Sequence, residues 1–100
     1  MKTFEINGKT YKGIDFGFGT VCDLEDMGIP MEDYGKKPRL LQRGYFALCA
    51  GMTAEQAGKE IEAHIIAGGN LDGITEAMHE AIGKSDFFRA LQERTEKEDM

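Results

Sequence analysis

The first sixteen residues carry the short period of a strand pair. Lys2–Ile6 alternates polar and apolar and places Phe4 and Ile6 on one face, the pattern of a strand with one buried side. Asn7-Gly8 follows, a dipeptide suited to a type I′ turn because both central residues need positive φ. The chain then returns over Lys9–Phe16 as the second strand. Its alternation slips, with Tyr11 at odd parity and Ile14 and Phe16 at even parity, and a one-residue slip turns side chains to the opposite face. A bulge at Lys12-Gly13, with Gly13 in the left-handed position, reconciles the two halves.

Beyond Phe16-Gly17-Phe18-Gly19 the period becomes helical. Thr20 is placed to cap a short helix over Val21–Met27, with Asp23 at its third position and Gly28 as its stop. Ile29–Lys37, with Pro30 and Gly35, reads as a loop with room for one turn. Pro38 suits the first turn of a second helix, which runs to about Ala50 before Gly51. Leu40, Leu41, Gly44, Tyr45, Leu48 and Met52 form a broad apolar arc, and Phe46 falls opposite it. A helix apolar on nearly all sides is usually central. Thr53-Ala54-Glu55-Gln56 forms a capping box and opens a third helix, which places Ala54, Ala57, Gly58, Ile61 and Ile65 on one stripe and stops at Gly68-Gly69. Gly58 costs ~1 kcal/mol against alanine in a helix interior, which points to close approach by a neighbouring helix. Leu71, Ile74, Met78, Ala81 and Ile82 recur at helical spacing, and Ser85 can cap a last helix with Phe87, Phe88 and Leu91 on one side. From Glu93 onward the chain is almost wholly charged. The expected fold is α+β, mostly α: an N-terminal two-stranded β-hairpin followed by four or five short helices, one domain over residues 1–92, with 93–100 a frayed charged tail.

Composition narrows the function classes. One hundred residues suit one domain. No apolar run approaches the ~20 residues that span a bilayer, and Met1–Thr10 lacks an apolar signal core, so no membrane association and a cytoplasmic location are expected. The formal net charge is −6, and phosphate backbones are held by Lys and Arg that displace counterions. The densest basic group, Lys36, Lys37, Arg39 and Arg43, is outweighed by acids elsewhere, so no nucleic-acid partner is expected. Cys22 and Cys49 form no CxxC pair and read as reduced, buried thiols.

A search for chemistry yields no catalytic, cofactor-binding or metal-ligating set. His64 follows Glu60 by one helical turn, but Cys22, Cys49, His64 and His79 are too scattered for a zinc motif. His64 and His79 read as hydrogen-bonded structural residues. Gly17-Phe18-Gly19 lacks the remainder of a phosphate-binding loop and precedes Asp23, Glu25 and Asp26. Paired acids such as Glu25 with Asp26, Glu32 with Asp33 and Glu60 with Glu62 read as solvated helix faces. No enzymatic activity and no cofactor are expected. What remains is apolar surplus. Phe46, opposite the arc of its helix, and Phe87, Phe88 and Leu91, on a terminal helix, are the candidate partner-binding residues, with completion of the core as their other reading.

The order of elements resembles the tail assembly chaperones of long-tailed bacteriophages and related prophages. The likeness covers nearly the whole chain. It is carried by the hairpin Phe4–Tyr11, by Phe16-Gly17-Phe18-Gly19-Thr20-Val21-Cys22-Asp23-Leu24-Glu25-Asp26-Met27-Gly28, and by Leu40-Leu41 with Tyr45-Phe46-Ala47-Leu48. Met52-Thr53-Ala54-Glu55-Gln56-Ala57-Gly58 follows, then Gly69-Asn70-Leu71 through Ala81-Ile82, and Ser85-Asp86-Phe87-Phe88-Arg89-Ala90-Leu91. The resemblance implies a non-enzymatic chaperone that binds the tape-measure protein and keeps it soluble while the tail tube assembles. It also implies the tail-tube protein as a second candidate partner, self-association into a ring or spiral, and a place in the host cytoplasm rather than the mature virion. The alternative is a small acidic phage or prophage regulator that binds a host protein or mimics DNA.

Overall fold

The computed structural model describes residues 1–98. Two short antiparallel strands, β1 (Thr3–Ile6) and β2 (Lys9–Lys12), precede five α-helices among the described residues: α1 (Phe18–Asp26), α2 (Pro38–Ala50), α3 (Ala54–Ile66), α4 (Asp72–Gly83) and α5 (Asp86–Glu98). A single 3-10 turn lies at Met31–Asp33. The fold is α+β and mostly α, as the periodicities predict.

The hairpin turns at Asn7 (φ 51°) and Gly8 (φ 82°), the positive pair that a two-residue turn of this hand requires. Phe4 pairs with Tyr11 and Ile6 with Lys9. The predicted bulge does not form. The ladder stops at Lys12, Gly13 has no positive φ, and its N–H donates to the Lys2 carbonyl at 2.9 Å. The parity slip arises because Gly13–Phe16 is not strand. It is an extended crossing that carries the chain over α2.

Tyr45 of α2 holds that crossing. Its hydroxyl donates to the Ile14 carbonyl at 2.7 Å and accepts from the Ile14 N–H at 3.0 Å. One buried side chain thus replaces both backbone partners that a sheet neighbour would have supplied. Its ring stacks on Phe16 with centroids 5.7 Å apart and planes 13° apart. A Cβ on Gly13 would lie 3.1 Å from the Tyr45 hydroxyl, so the smallest residue stands where the clamp closes.

Helix α1 begins two residues earlier than its expected cap. Gly17 is the N-cap and offers no side chain. Thr20 lies inside the helix, where its hydroxyl donates to the Asp15 carbonyl at 2.7 Å. The helix ends at Gly28 (φ 85°). There the Ile29 N–H returns to the Leu24 carbonyl at 2.9 Å and the Gly28 N–H to Glu25 at 2.8 Å, the paired bonds of a Schellman stop. That stop brings Leu24 and Ile29 down together onto Gly44 of α2. A Cβ on Gly44 would lie 2.8 Å from Leu24 Cδ2 and 2.9 Å from Ile29 Cδ1.

Helix α2 is the hub. Tyr45, Phe46 and Ala47 are fully buried, with the hairpin, α1, α3 and α4 packed around them. Pro38 opens the helix and Gly51 (φ 68°) closes it. Thr53 and Gln56 form the predicted capping box, with reciprocal bonds of 3.1 Å. Ser85 caps α5 through the Phe88 N–H at 3.2 Å, and its hydroxyl donates to the Phe16 carbonyl at 2.6 Å. The cap therefore also ties the end of the crossing to the α4–α5 junction. Helix α5 continues through Glu98, so Glu93–Glu98 are helical where a frayed tail is expected from the sequence. The rest of that tail lies outside the described residues.

Tyr45→Phe keeps the stacking but strands the Ile14 N–H and C=O. It is expected to cost about 2–4 kcal/mol, read as a lower urea midpoint with an unchanged m-value.

Candidate functional site

The four aromatic and aliphatic residues singled out by sequence separate into two environments. Phe46 is fully buried. The hairpin lies over it, with the Phe4 and Tyr11 rings edge-on at 6.0 and 5.0 Å. The side opposite the arc of α2 is thus the seat of the hairpin, and Phe46 belongs to the core rather than to a docking surface. Phe87, Phe88 and Leu91 are half-buried. Phe88 meets Phe16 edge-on at 5.4 Å. Phe87 meets Phe88 and Phe18, each at 5.5 Å. The rings form a ladder from the core to the surface, and it ends at Phe18, which is 64% exposed. Beside it, a groove of about 600 Å³ is bordered by Met31, Ile82, Phe88 and Leu91.

A second groove of about 600 Å³ lies between α2, α3 and the start of α4. Its apolar walls are Leu40, Ile61, Ile65 and Leu71, and its polar groups include Arg39 and Arg43. Its origin is in α3. That helix meets α2 through small residues, and Ala57 is its one buried position among the described residues. Ile61 is half-buried, Ile65 is 48% exposed and the adjacent Ile66 is 78% exposed. The stripe read from the sequence is therefore real, but its C-terminal half lines a groove instead of entering the core. At Gly58 a Cβ would lie 3.3 Å from Arg43 Cδ, so the close neighbour of this glycine is an arginine stem of α2.

The basic segment divides in the same way. Lys37 pairs with Asp33 at 3.5 Å. Among the described residues Arg39 reaches only the neutral Gln42 Oε1, at 3.0 Å. Arg43 Nε is buried without a hydrogen-bond partner. Gln42, itself buried, donates to Thr75 Oγ1 at 3.0 Å, and Thr75 donates to the Leu71 carbonyl at 2.8 Å. This chain of bonds fixes the wall where α2 meets α4.

His64 has a bridging role. Its Nδ1 accepts from the Asn7 N–H at 2.9 Å, and its Nε2 lies 3.1 Å from the Asn70 carbonyl. Those partners require the neutral tautomer with the proton on Nε2. Glu60, one turn earlier, accepts from Asn7 Nδ2 at 3.0 Å. The Glu60–His64 spacing therefore clasps the hairpin turn. Among the described residues no group of three His, Cys, Asp or Glu side chains is placed to hold a metal ion.

Perturbed titrations often mark reactive sites, but here burial among the core helices accounts for them. Desolvation, with the Glu25 charge adding to it, pushes the Tyr34 phenol up to about 12. Burial also raises the Tyr45 phenol. It raises the Cys49 thiol too, outweighing the opposite effect of the Ile14 backbone and the Tyr45 hydroxyl. None of the three lines either groove. Cys22 and Cys49 are both free thiols. No helix is long and apolar enough to cross a membrane among the described residues.

Compared with family models, curated proteins and solved structures, the chain matches none. The residues not singled out from the sequence are Phe18, read only as part of an incomplete phosphate loop, and the Arg39–Arg43 pair, read as basic residues outweighed by acids elsewhere. Their signals were a phenylalanine between two glycines and two arginines one helical turn apart.

Two measurements test these assignments. His64→Ala removes the acceptor of the Asn7 N–H, and hydrogen exchange at that amide is expected to quicken by about tenfold or more. Because thiolate is the reacting species and the Cys49 thiol is raised, a disulfide reagent at neutral pH is expected to label Cys49 about tenfold more slowly in the native protein than in denaturant.

Proposed function

We propose that this chain is a non-enzymatic protein-binding module that serves as a phage or prophage tail assembly chaperone. In this reading it acts in the host cytoplasm, holding the tape-measure protein soluble while the tail tube assembles. The observation that carries the binding part is the α3 ridge. Ile65 and Ile66 are 48% and 78% exposed beside a groove walled by Leu40, Ile61 and Leu71. Exposed apolar side chains next to a groove are what a helical client would cover. The second groove, bordered by Phe88 and Leu91, supports the α5 residues as a further contact. The chaperone assignment itself rests on the order of elements described above. Self-association and contact with the tail-tube protein belong to the same proposal.

The reading requires a tape-measure gene in the neighbouring frames, and co-expression with its product tests it. The client is expected in the soluble fraction only when the chain is present. Ile65→Ser with Ile66→Ser is expected to return most of it to the pellet without lowering the thermal midpoint, since both side chains are largely exposed. A client equally insoluble with and without the chain would refute the chaperone role. Loss of function on charge reversal at Glu25, Asp26, Glu32 and Asp33, with the isoleucine variant fully active, would favour the acidic regulator instead.

A further inference from the structure

The groove between α2, α3 and α4 has a charge pattern opposite to that of the chain that contains it. The net charge is −6, yet Arg39 and Arg43 both line this groove and neither pairs with a carboxylate among the described residues. They stand four residues apart on α2, so they share a face. Asp72, on the α4 side of the groove, makes no ion pair with either. Lys59, Lys84 and Arg89, by contrast, each meet an acid three or four residues earlier in the chain.

Arg43 is the more telling of the two. Its Nε is buried and unbonded, and a buried N–H without an acceptor is a standing penalty. A guanidinium presents parallel donors that match the two oxygens of a carboxylate. Its stem lies over Gly58, where a Cβ would come within 3.3 Å of Cδ. A glycine disfavoured inside a helix thus stands where it leaves room for this arginine. The hydrogen-bonded chain Arg39–Gln42–Thr75–Leu71 holds the adjoining wall but brings no negative charge to Arg39.

We infer that this groove docks an acidic amphipathic helix of a partner protein. One apolar side chain seats between Leu40, Ile61 and Leu71, one carboxylate pairs with Arg43, and Arg39 supplies a second cation at the open end. This rests on the protein-binding reading above and specifies the chemistry of the bound segment. A free anion would use the arginines and leave the apolar walls bare, while an uncharged apolar helix would leave both guanidinium charges unpaired. An acidic amphipathic helix satisfies both.

The test titrates the full-length protein with a fluorescein-labelled helical peptide bearing leucines at i and i+4 and flanking glutamates. Matched peptides carry glutamine or lysine instead. The glutamate peptide is expected to bind, to weaken with added NaCl, and to exceed the glutamine peptide by about tenfold or more. Arg43→Ala and Arg39→Ala are each expected to lose about tenfold, and Arg43→Lys to recover part of the loss. Gly58→Ala keeps every charge and is expected to hold or raise the thermal midpoint while weakening the peptide, because Arg43 must shift. Methyl shifts on binding should fall at Leu40, Ile61 and Leu71.

Equal binding of glutamate and glutamine peptides would overturn the inference. So would unchanged affinity in a folded Arg43→Ala, methyl shifts confined to Ile82 and Leu91, displacement of the peptide by millimolar acetate, or occupation of the groove by a second copy of the chain. If Arg43→Ala still solubilises the tape-measure protein, this inference fails and the chaperone reading stands. If the wild type binds the glutamate peptide but leaves the tape-measure protein insoluble, the reverse holds.

Discussion

The structure depends on a backbone segment that has no strand partner. Gly13–Phe16 crosses α2 after the hairpin has ended, and its peptide groups must be satisfied without a ladder. The Tyr45 hydroxyl does this at Ile14, accepting from the N–H and donating to the C=O. The crossing then delivers Phe16 into the centre of the molecule. There Phe16 meets Tyr45, Tyr34 and Phe88, and its carbonyl receives the Ser85 hydroxyl. The α1 start, the loop after it and the α4–α5 junction all take their positions from this segment.

The hairpin takes one side of α2, Leu24 and Ile29 meet it at Gly44, and α3 packs along the rest of it through small residues. Ala57 and Gly58 make the closest approach, and the larger side chains further along α3 are left to wall a groove. The candidate site is thus what remains after a small core has been filled. A 100-residue chain has limited interior, so an apolar stripe longer than its share of the core ends at the surface.

Local signals were read directly from the sequence. Asn7-Gly8, Pro38 with Gly51, the Thr53–Gln56 box and the Ser85 cap all lie where their side-chain chemistry places them, since each depends on residues within four positions. Signals that depend on distant partners were not readable in the same way. The parity slip at Tyr11–Ile14 looked like a bulge because the Tyr45 clamp lies 31 residues away. Thr20 is a short-range exception: the Asp15 carbonyl that takes its hydroxyl lies five residues away, and the helix starts ahead of it at Phe18 with Gly17 as cap. Phe46 was open to both readings, partner surface and core, because the hairpin that covers it lies more than thirty residues earlier in the chain. The candidate site was half legible: the Ile61–Ile65 stripe was visible, but which of its residues fell outside the core was decided by packing against α2.

The imidazole of His64 joins the end of α3 and the loop that follows it to the hairpin turn at the other end of the sequence. On one side it holds the hairpin turn through Asn7, and on the other the α3–α4 loop through Asn70. Asn70 and Leu71 of that loop also border the arginine-lined groove. A single ring therefore acts as a joint between the hairpin turn and one wall of the groove. A disturbance that pulls the hairpin turn away from α3 acts on the groove wall through the His64 ring, with Glu60 holding the same turn beside it.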